Sequence, residues 1–547
     1  MNCMNLRHTM RALVSASLVT VASGLAFSPS DRRNHMWDTW LYRSGNGWLL
    51  NYLVLDDTAV LPPGTSNGVW NGVSTASSVD GVHWADFGVS IRKDCIDKDD
   101  CAGWLGSGSV WKKTDAGSGG ELYVMNYSQE YDCEGSNCQT IFFATSSDLI
   151  NWTPLAPDAK TKGGLVFRVP ANSTDYRKGG RWDCITVLPR PAGGYYGYWT
   201  ASPSPSHSSP AYCGGGACGA GFGVSDDGLH WRALPTPGPA VAGEVGGVAL
   251  VGERTFMTFD GGHLYEAPSP SGPFVPSAKN HAFLTQEGRL FFARLWGSPY
   301  TQEAGLVLIT HQQVNRGFSA RNTGSIYAGL VKRAVLDPTD GVLRAQWWSQ
   351  NDALRGSALA VRAVTVDSGI PLAPSGALLT TTACVGVCLT SGLWLEGSIA
   401  PSNESTIAGI WLQLDQHNGF IMAIATGAID SNTDARPAGA TYHAAASAGG
   451  GAQPFILGAT DAAGNWSQTP LQIDRSMETR SASPSSWRLV ARNAWSGEAM
   501  AEFYVDDVLA LPFTLPGGLT GAFAAVGGLT IRAAHRLTLP TQLPMHQ

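Results

Sequence analysis

Three acidic residues far apart in the sequence, Asp38, Asp183 and Glu244, each lie in an apolar or aromatic setting. Asp38 lies between Trp37 and Trp40, where an ordinary surface charge is uncommon. Cleavage of a glycosidic bond needs a carboxylic acid to protonate the leaving oxygen and a second carboxylate to attack the anomeric carbon or activate water. Acids from distant segments that converge in one cavity would supply both groups. The pattern therefore predicts a glycoside hydrolase, and a capping role at a turn is the alternative for Asp38.

The surroundings of the other two acids suggest their roles. Asp183 follows Arg181, which is expected to hold the Asp or to bind a sugar hydroxyl, and a structural Arg–Asp pair is the alternative. Glu244 lies among glycine and aliphatic residues in 242–250. A poorly hydrated carboxyl favours the protonated form that a general acid needs. An exposed loop residue is the alternative for Glu244.

A repeated segment indicates the elements that must position these acids. It reads Ser-Val-Asp-Gly-Val-His-Trp in its first copy, and its copies occupy residues 78–84, 147–152, 225–231 and, in degenerate form, 267–274. A spacing of about 70 residues, with a strand, a tight turn and a Trp-initiated strand, is typical of four-stranded propeller blades. A β-sandwich would place its turns closer together. Asp80, Asp148 and Asp227 of these turns are interpreted as structural.

The repeats define the domain organisation. Residues 31–348 are predicted to form a five-bladed β-propeller that carries the acids, and 349–383 a connecting segment. Residues 384–547 lack the repeat but contain alternating strands, which predicts a β-sandwich. The expected fold class is all-β. In a propeller the first strand of each blade lines a central funnel, so acids from different blades can meet there.

The N-terminus predicts export. Residues 1–26 contain Arg7 and Arg11 before an apolar segment and are expected to be a signal peptide. That segment is shorter than the roughly 20 residues that span a membrane. We expect a secreted protein without a membrane contact after cleavage, with vacuolar or plastid delivery as alternatives.

Disulfides, rather than zinc sites, are predicted for four close pairs: Cys95/Cys101, Cys133/Cys138, Cys213/Cys218 and Cys384/Cys388. Glycosylation sequons begin at Asn126, Asn151, Asn172, Asn403 and Asn465.

Composition excludes some partners. The 547 residues carry a net charge of −7 without a basic run, which argues against nucleic acid. Hydrophobic residues make up 44% and charged residues 14%, which indicates a globular chain. No metal-ligand spacing is evident, and no cofactor is expected. A carbohydrate is the expected partner.

The order of these motifs resembles the five-bladed hydrolases of the invertase and fructanase family, glycoside hydrolase family 32, and the related arabinanases and xylosidases of family 43. Segment 36–40 is similar to the family's Trp-Met-Asn-Asp-Pro-Asn-Gly segment, without the Asp-Pro-Asn core. Segment 181–184 is similar to its Arg-Asp-Pro motif with one inserted residue, and Glu244 to its Glu-Cys pair without the Cys. Segment 105–110 resembles its Ser-Gly-Ser segment.

The resemblance implies roles for the acids. In the invertase-like case Asp38 is the nucleophile of a retaining reaction, Asp183 stabilises the transition state and Glu244 is the acid/base. In the arabinanase-like case Asp38 is the general base of an inverting reaction, and Asp183 modulates Glu244. The implied activity is hydrolysis of fructosides or related furanosides, as in a β-fructofuranosidase. The resemblance leaves open whether the propeller binds a Ca²⁺ ion, as some related arabinanases do. A non-catalytic carbohydrate-binding propeller is the alternative function.

Further residues are predicted to bind the substrate. Aromatic faces stack on the C–H faces of sugars, although each Trp has a core position as its alternative. The expected set is Trp37, Trp40, Ser107, Arg181, Trp182 and Arg294. Trp104 is a further stacking candidate, and His311 is interpreted as a structural residue.

Overall fold

The computed structural model describes the greater part of the predicted propeller and many strands beyond it. The described residues are 26–29, 34–45, 47–56, 70–93, 104–113, 121–133, 136–156, 164–204, 212–213, 216–237, 243–259, 262–278, 280–281, 283–284, 290–314, 326–365, 377–381, 392–399, 407–413, 419–425, 455–460, 466–468, 486–493, 499–515, 522–526 and 529–538.

Four antiparallel sheets follow one another along the chain. The first contains β1 (Asn34–Ser44), β2 (Gly47–Asp56), β3 (Gly72–Ser78) and β4 (Ala85–Arg92). The second contains β5 (Leu105–Lys112), β6 (Tyr123–Cys133), β7 (Ser136–Ser146), β8 (Thr153–Pro154) and β9 (Val166–Phe167). The third contains β10 (Trp182–Pro189) and β11 (Tyr195–Ala201), then the small hairpin β12 (Tyr212–Cys213) and β13 (Gly216–Ala217), which pairs separately, and β14 (Gly219–Ser225) and β15 (Arg232–Leu234). The fourth contains β16 (Val245–Val251), β17 (Arg254–Phe259), β18 (Leu264–Ala267) and β19 (Val275–Pro276).

A further set of strands continues this pattern and joins the C-terminal part. It contains β20 (Leu290–Trp296), β21 (Leu308–Val314), β22 (Ile326–Ala328), β23 (Lys332–Leu336) and β24 (Leu343–Trp347). The path β20-β21-β23-β24 is the start of an 11-stranded sheet that continues through strands of the C-terminal part.

The C-terminal part begins with a 3-10 helix, Ser349–Leu354. Its strands are β25 (Arg355–Ala358), β26 (Val361–Thr365), β27 (Ala377–Thr381), β28 (Leu393–Ile399), β29 (Ile407–Gln413), β30 (Gly419–Ala425), β31 (Phe455–Thr460), β32 (Trp466–Gln468), β33 (Ser486–Asn493), β34 (Ala499–Val505), β35 (Val508–Leu515), β36 (Ala522–Val526) and β37 (Leu529–Leu537). Seven of them form one sheet in the order β26-β27-β36-β29-β30-β31-β32, and the rest extend the 11-stranded sheet. The segment predicted as a connection therefore contributes strands to both sheets.

The first strands of the five successive sets lie side by side around a common centre. β1 contacts β5, β5 contacts β10, β10 contacts β16, β16 contacts β20, and β20 contacts β1. Strands such as β2 are buried along nearly their whole length, since neighbouring sheets cover both faces. The fold is all-β with a propeller-like arrangement, as predicted. Within the described residues no helix has the length and apolar character that crossing a membrane requires.

The repeated turns have the structural role that their sequence predicts. In the first copy Oδ1 of Asp80 accepts hydrogen bonds from the backbone N–H groups of Val82 and His83, at 2.9 and 2.8 Å. Asp148 and Asp227 accept the equivalent pairs of bonds. These bonds close the outer turn of three sheets and lower the pKa of each Asp.

Candidate active site

Every strand of the inner ring carries a register irregularity, and the candidate residues lie at or next to these points. The irregularities fall between Met36 and Thr39 in β1, Gly106 and Ser109 in β5, Asp183 and Thr186 in β10, Val245 and Gly247 in β16, and Phe291 and Arg294 in β20. A β-bulge bends the strand and redirects its side chains, and such bulges are frequent beside active sites. Here they give the five inner strands a common region of irregular backbone.

Asp38 lies within the irregularity of β1 and is buried, with 5% of its surface exposed. Its Oδ1 atom has no hydrogen-bond partner. Burial, with a smaller contribution from the charge of Asp183, raises the pKa of the Asp38 carboxyl to about 6. The guanidinium of Arg294 and the hydroxyl of Ser107 oppose this shift. Asp38 therefore ionises only near neutral pH.

Arg294 stabilises the Asp38 carboxylate from a fully buried position. Its Nε donates to the carbonyl of Gly246 at 2.6 Å, and its Nη1 donates to the carbonyl of Thr39 at 3.0 Å. These bonds tie β20 to β16 and β1 beneath the acids. The sequence predicts that Arg294 binds substrate; in the structure its side chain has no exposed surface, and it interacts with the backbone and with Asp38.

Asp183 and Arg181 form the centre of the cluster. Nη2 of Arg181 donates to Oδ2 of Asp183 at 2.9 Å, and the hydroxyl of Ser128 donates to Oδ1 of the same carboxylate. Gly106 makes this approach possible, because a Cβ there would lie 2.5 Å from Oδ1 of Asp183 and 2.0 Å from Oγ of Ser128. Asp183 is thus held from both sides, by β6 and by the residue that precedes β10.

Glu244 lies directly before β16 and is joined to the cluster by an ion pair with Arg181. Its side chain is 19% exposed. The sequence predicts an apolar, poorly hydrated setting for this Glu, but its nearest ionic partner comes from a segment more than sixty residues earlier. One guanidinium therefore contacts both Asp183 and Glu244, and it also influences the pKa of Asp38.

Two half-buried tryptophans lie beside the acids. Trp37 stacks on Trp70, with ring centroids 5.5 Å apart and planes 18° apart. The guanidinium of Arg181 lies over the ring of Trp104, 5.6 Å from its centroid. Trp37 and Trp104 keep the exposed area that a sugar-stacking residue needs.

Three predicted substrate-binding residues have other positions or roles, and His311 has the structural role that is predicted for it. Trp40 and Trp182 are wrong as stacking residues, because both are fully buried in the apolar core; Trp182 packs against Trp199 with centroids 4.9 Å apart. Ser107 is 2% exposed and acts on Asp38 through a hydrogen bond. His311 is fully buried beside Lys332 at the junction with β34, which agrees with its structural interpretation.

Two residues of the cluster, Ser128 and Gln139, are absent from the sequence prediction. Gln139 lies on β7, the third strand of its sheet, and its Oε1 accepts a hydrogen bond from Nε of Arg181 at 2.6 Å. Both are polar residues in apolar strands. That signal alone does not distinguish a site residue from an outward-facing one.

Metal and cysteine predictions have partial answers. Among the described residues no group of three or more His, Cys, Asp or Glu side chains is arranged to hold a metal ion. Cys218 is disulfide-bonded, but the side chains of the other paired cysteines lie outside the described residues, so the pairings stay predictions. Cys184 is free and buried, and burial raises the pKa of its thiol to about 12.

The first glycosylation sequon is not accessible in the fold. Asn126 is fully buried, which excludes its sequon from glycosylation in the folded chain.

Comparison with known proteins gives a likeness in fold. No protein-family model matches the chain. No curated protein matches it either. A solved glycoside hydrolase family 32 structure from Bifidobacterium adolescentis is similar, with a TM-score of 0.58 and 12% identity over 95% of this chain and 82% of that chain. A family 32 β-fructofuranosidase from Bombyx mori is similar with a TM-score of 0.55 and 12% identity, over 93% of this chain and 94% of that chain. Fructan 1-exohydrolase IIa from Cichorium intybus is similar with a TM-score of 0.54 and 12% identity, over 95% and 98%. The likeness confirms the predicted structural resemblance to this group of hydrolases.

Proposed function

We propose that the chain is a glycoside hydrolase that acts on fructosides or related furanosides through Asp38, Asp183 and Glu244. One observation carries the proposal: a single guanidinium pairs with two acids from neighbouring inner segments, and a third acid on β1 lies within the electrostatic influence of the same group. Arg181 pairs with Asp183 and Glu244, and the pKa of Asp38 responds to Arg181 and Asp183. The solved proteins of similar fold include a β-fructofuranosidase crystallised with sucrose and a fructan exohydrolase, which supports a furanoside substrate.

The proposed chemistry assigns one task to each acid. Above pH 6 Asp38 is ionised, and its unpartnered Oδ1 is free to attack the anomeric carbon or to accept a proton from water. Glu244 protonates the leaving oxygen. Asp183, held by Ser128 and Arg181, accepts hydrogen bonds from sugar hydroxyls and stabilises the transition state.

Before this reaction the ion pair between Arg181 and Glu244 must open. A substrate hydroxyl that accepts a hydrogen bond from Arg181 would release the Glu244 carboxyl to take up a proton. Retention of configuration at the anomeric carbon would indicate that Asp38 is a nucleophile, and inversion would indicate that it activates water. Proton NMR of the first sugar released distinguishes the two, because the anomers of the product have separate signals.

The decisive experiment is hydrolysis of sucrose, inulin and para-nitrophenyl furanosides by the wild-type chain and by Asp38→Asn and Glu244→Gln. We expect the wild type to release sugar, and each variant to lose at least about 1,000-fold in rate, on the scale of removing a catalytic group. Asp226→Asn is the control, because its side chain is 95% exposed and remote from the cluster. Sugar binding by the wild type without any release would instead support the carbohydrate-binding alternative.

We further propose that β20, β21, β23 and β24 form the fifth blade of a propeller spanning 31–348, and that the C-terminal strands, including those that 349–383 contributes, form a β-sandwich. The pairing of β24 with β35 at Gln346 and Val508 supports a direct junction between the two. Secretion is also a proposal. Its support is the disulfide at Cys218, which is typical of oxidising compartments.

A further inference from the structure

The hairpin formed by β6 and β7 extends toward the start of β10 and contacts that strand with both of its own strands. Ser128 on β6 and Gln139 on β7 are buried at this contact. Both side chains are directed at the charged groups that precede and begin β10. Inner strands alone therefore do not explain the position of the Asp183 carboxylate.

The side chains form a closed ring of four hydrogen bonds. Gln139 accepts from Nε of Arg181 at 2.6 Å and donates through Nε2 to Oγ of Ser128 at 3.4 Å. Ser128 donates to Oδ1 of Asp183, whose Oδ2 accepts from Nη2 of Arg181 at 2.9 Å. Donor and acceptor roles are consistent around the whole ring.

The ring fixes the guanidinium that pairs with both Asp183 and Glu244. With Nε directed to Gln139 and Nη2 to Asp183, the planar fork of Arg181 has its orientation set, and Nη1 is left for Glu244. Only 20% of the Arg181 side chain is exposed, so loss of the Gln139 acceptor would leave a buried N–H without a partner. Arg181 would then rotate, and both acids would lose their alignment.

We propose that Gln139 and Ser128 are positioning residues, which orient Arg181 and Asp183 for the hydrolysis of furanosides. This inference rests on the proposed function. Ser128 is fully buried and Gln139 is 6% exposed, so we expect neither to contact the substrate. Their effect is expected in the rate of the chemical step rather than in binding, because small displacements of reacting groups cost large factors in rate.

The test compares Gln139→Leu with Gln129→Leu on the furanoside that the wild type hydrolyses fastest. Gln129 is a matched control, because it lies in the partner strand and is equally buried, at 6% exposure. We expect Gln139→Leu to lower kcat by about 10- to 100-fold with KM within about threefold of wild type. Gln139→Glu, which keeps an oxygen acceptor for Arg181, is expected to recover most of that loss. Gln129→Leu should keep the wild-type kcat.

A second pair of variants covers the case in which Gln139→Leu does not fold. Ser128→Ala removes the donor to Asp183 and is expected to lower kcat, whereas Ser128→Thr keeps the hydroxyl and is expected to restore it. Wild-type kcat in Gln139→Leu or Ser128→Ala, or an equal loss in Gln129→Leu, would overturn the positioning role alone. Absence of hydrolysis by the wild type would overturn the proposed function as well, so the two failures are distinguishable.

Discussion

Replacing Asp38 by Asn is expected to stabilise the folded chain while it abolishes activity. In the folded state the pKa of Asp38 rises from 3.8 to about 6, mainly because the carboxyl is buried. At 1.36 kcal/mol for each tenfold change in proton affinity, the charged form is disfavoured by about 3 kcal/mol. Asn has the shape of the protonated acid and carries no charge, so Asp38→Asn removes this cost at pH 7.

The direction of the pH dependence follows from the same values. Between pH 3.8 and about 6 the folded chain holds a proton on Asp38 that the unfolded chain has released. The unfolding free energy of the wild type therefore falls by about 3 kcal/mol across this window as pH rises. In Asp38→Asn this contribution is absent, so the variant and the wild type converge in stability near pH 4 and differ most above pH 6.

Calorimetry or denaturant unfolding at pH 4 and pH 7 measures the effect. For a chain of 547 residues the unfolding entropy is about 1 kcal/mol/K, so the expected rise in Tm at pH 7 is about 3 °C. Asp183→Asn is the contrasting variant, because it removes a carboxylate that is paired with Arg181 and Ser128, and we expect it to lower Tm. An unchanged or lower Tm for Asp38→Asn at pH 7 would refute the reasoning.

Three further predictions concern the groups around the acids. Arg294→Met removes the positive charge that most lowers the pKa of Asp38. The acid limb of the kcat/KM profile, expected near pH 6 in the wild type, should therefore move to higher pH. An unmoved limb would show that Arg294 does not act on Asp38. Glu502→Gln leaves fully buried Lys332 without its ionic partner and should lower the unfolding free energy by about 3 kcal/mol, measured in urea. Gly106→Ala introduces a Cβ 2.0 Å from the Ser128 hydroxyl, and we expect at least a tenfold lower kcat; wild-type turnover would mean that this contact is not needed.

The sequence reveals the acids of the candidate site better than their environment. Asp38 stands out because aromatic residues surround it, and the repeated turns show that distant segments share one architecture. Glu244 is 19% exposed, and its ionic partner Arg181 lies directly before the first strand of a different sheet. A local window of sequence contains no information on such a pairing.

The tryptophan predictions fail for a related reason. Side chains alternate across a strand, but the irregularity between Met36 and Thr39 interrupts that alternation in β1. Trp37 lies within this irregularity and is half-buried beside the acids, whereas Trp40 follows it and is fully buried in the core. Gln139 lies on the third strand of its sheet, two strands away from the central ring, where periodicity gives no reason to expect a site residue.

The most direct test of the central claim is the residual rate of the double variant Asp38→Asn/Glu244→Gln on an activated para-nitrophenyl furanoside, compared with both single variants. If the two acids serve one reaction in one site, the second substitution adds little to the first, and the double variant should match the slower single variant within a few-fold. Losses that multiply to the product of the two single effects would contradict a shared site.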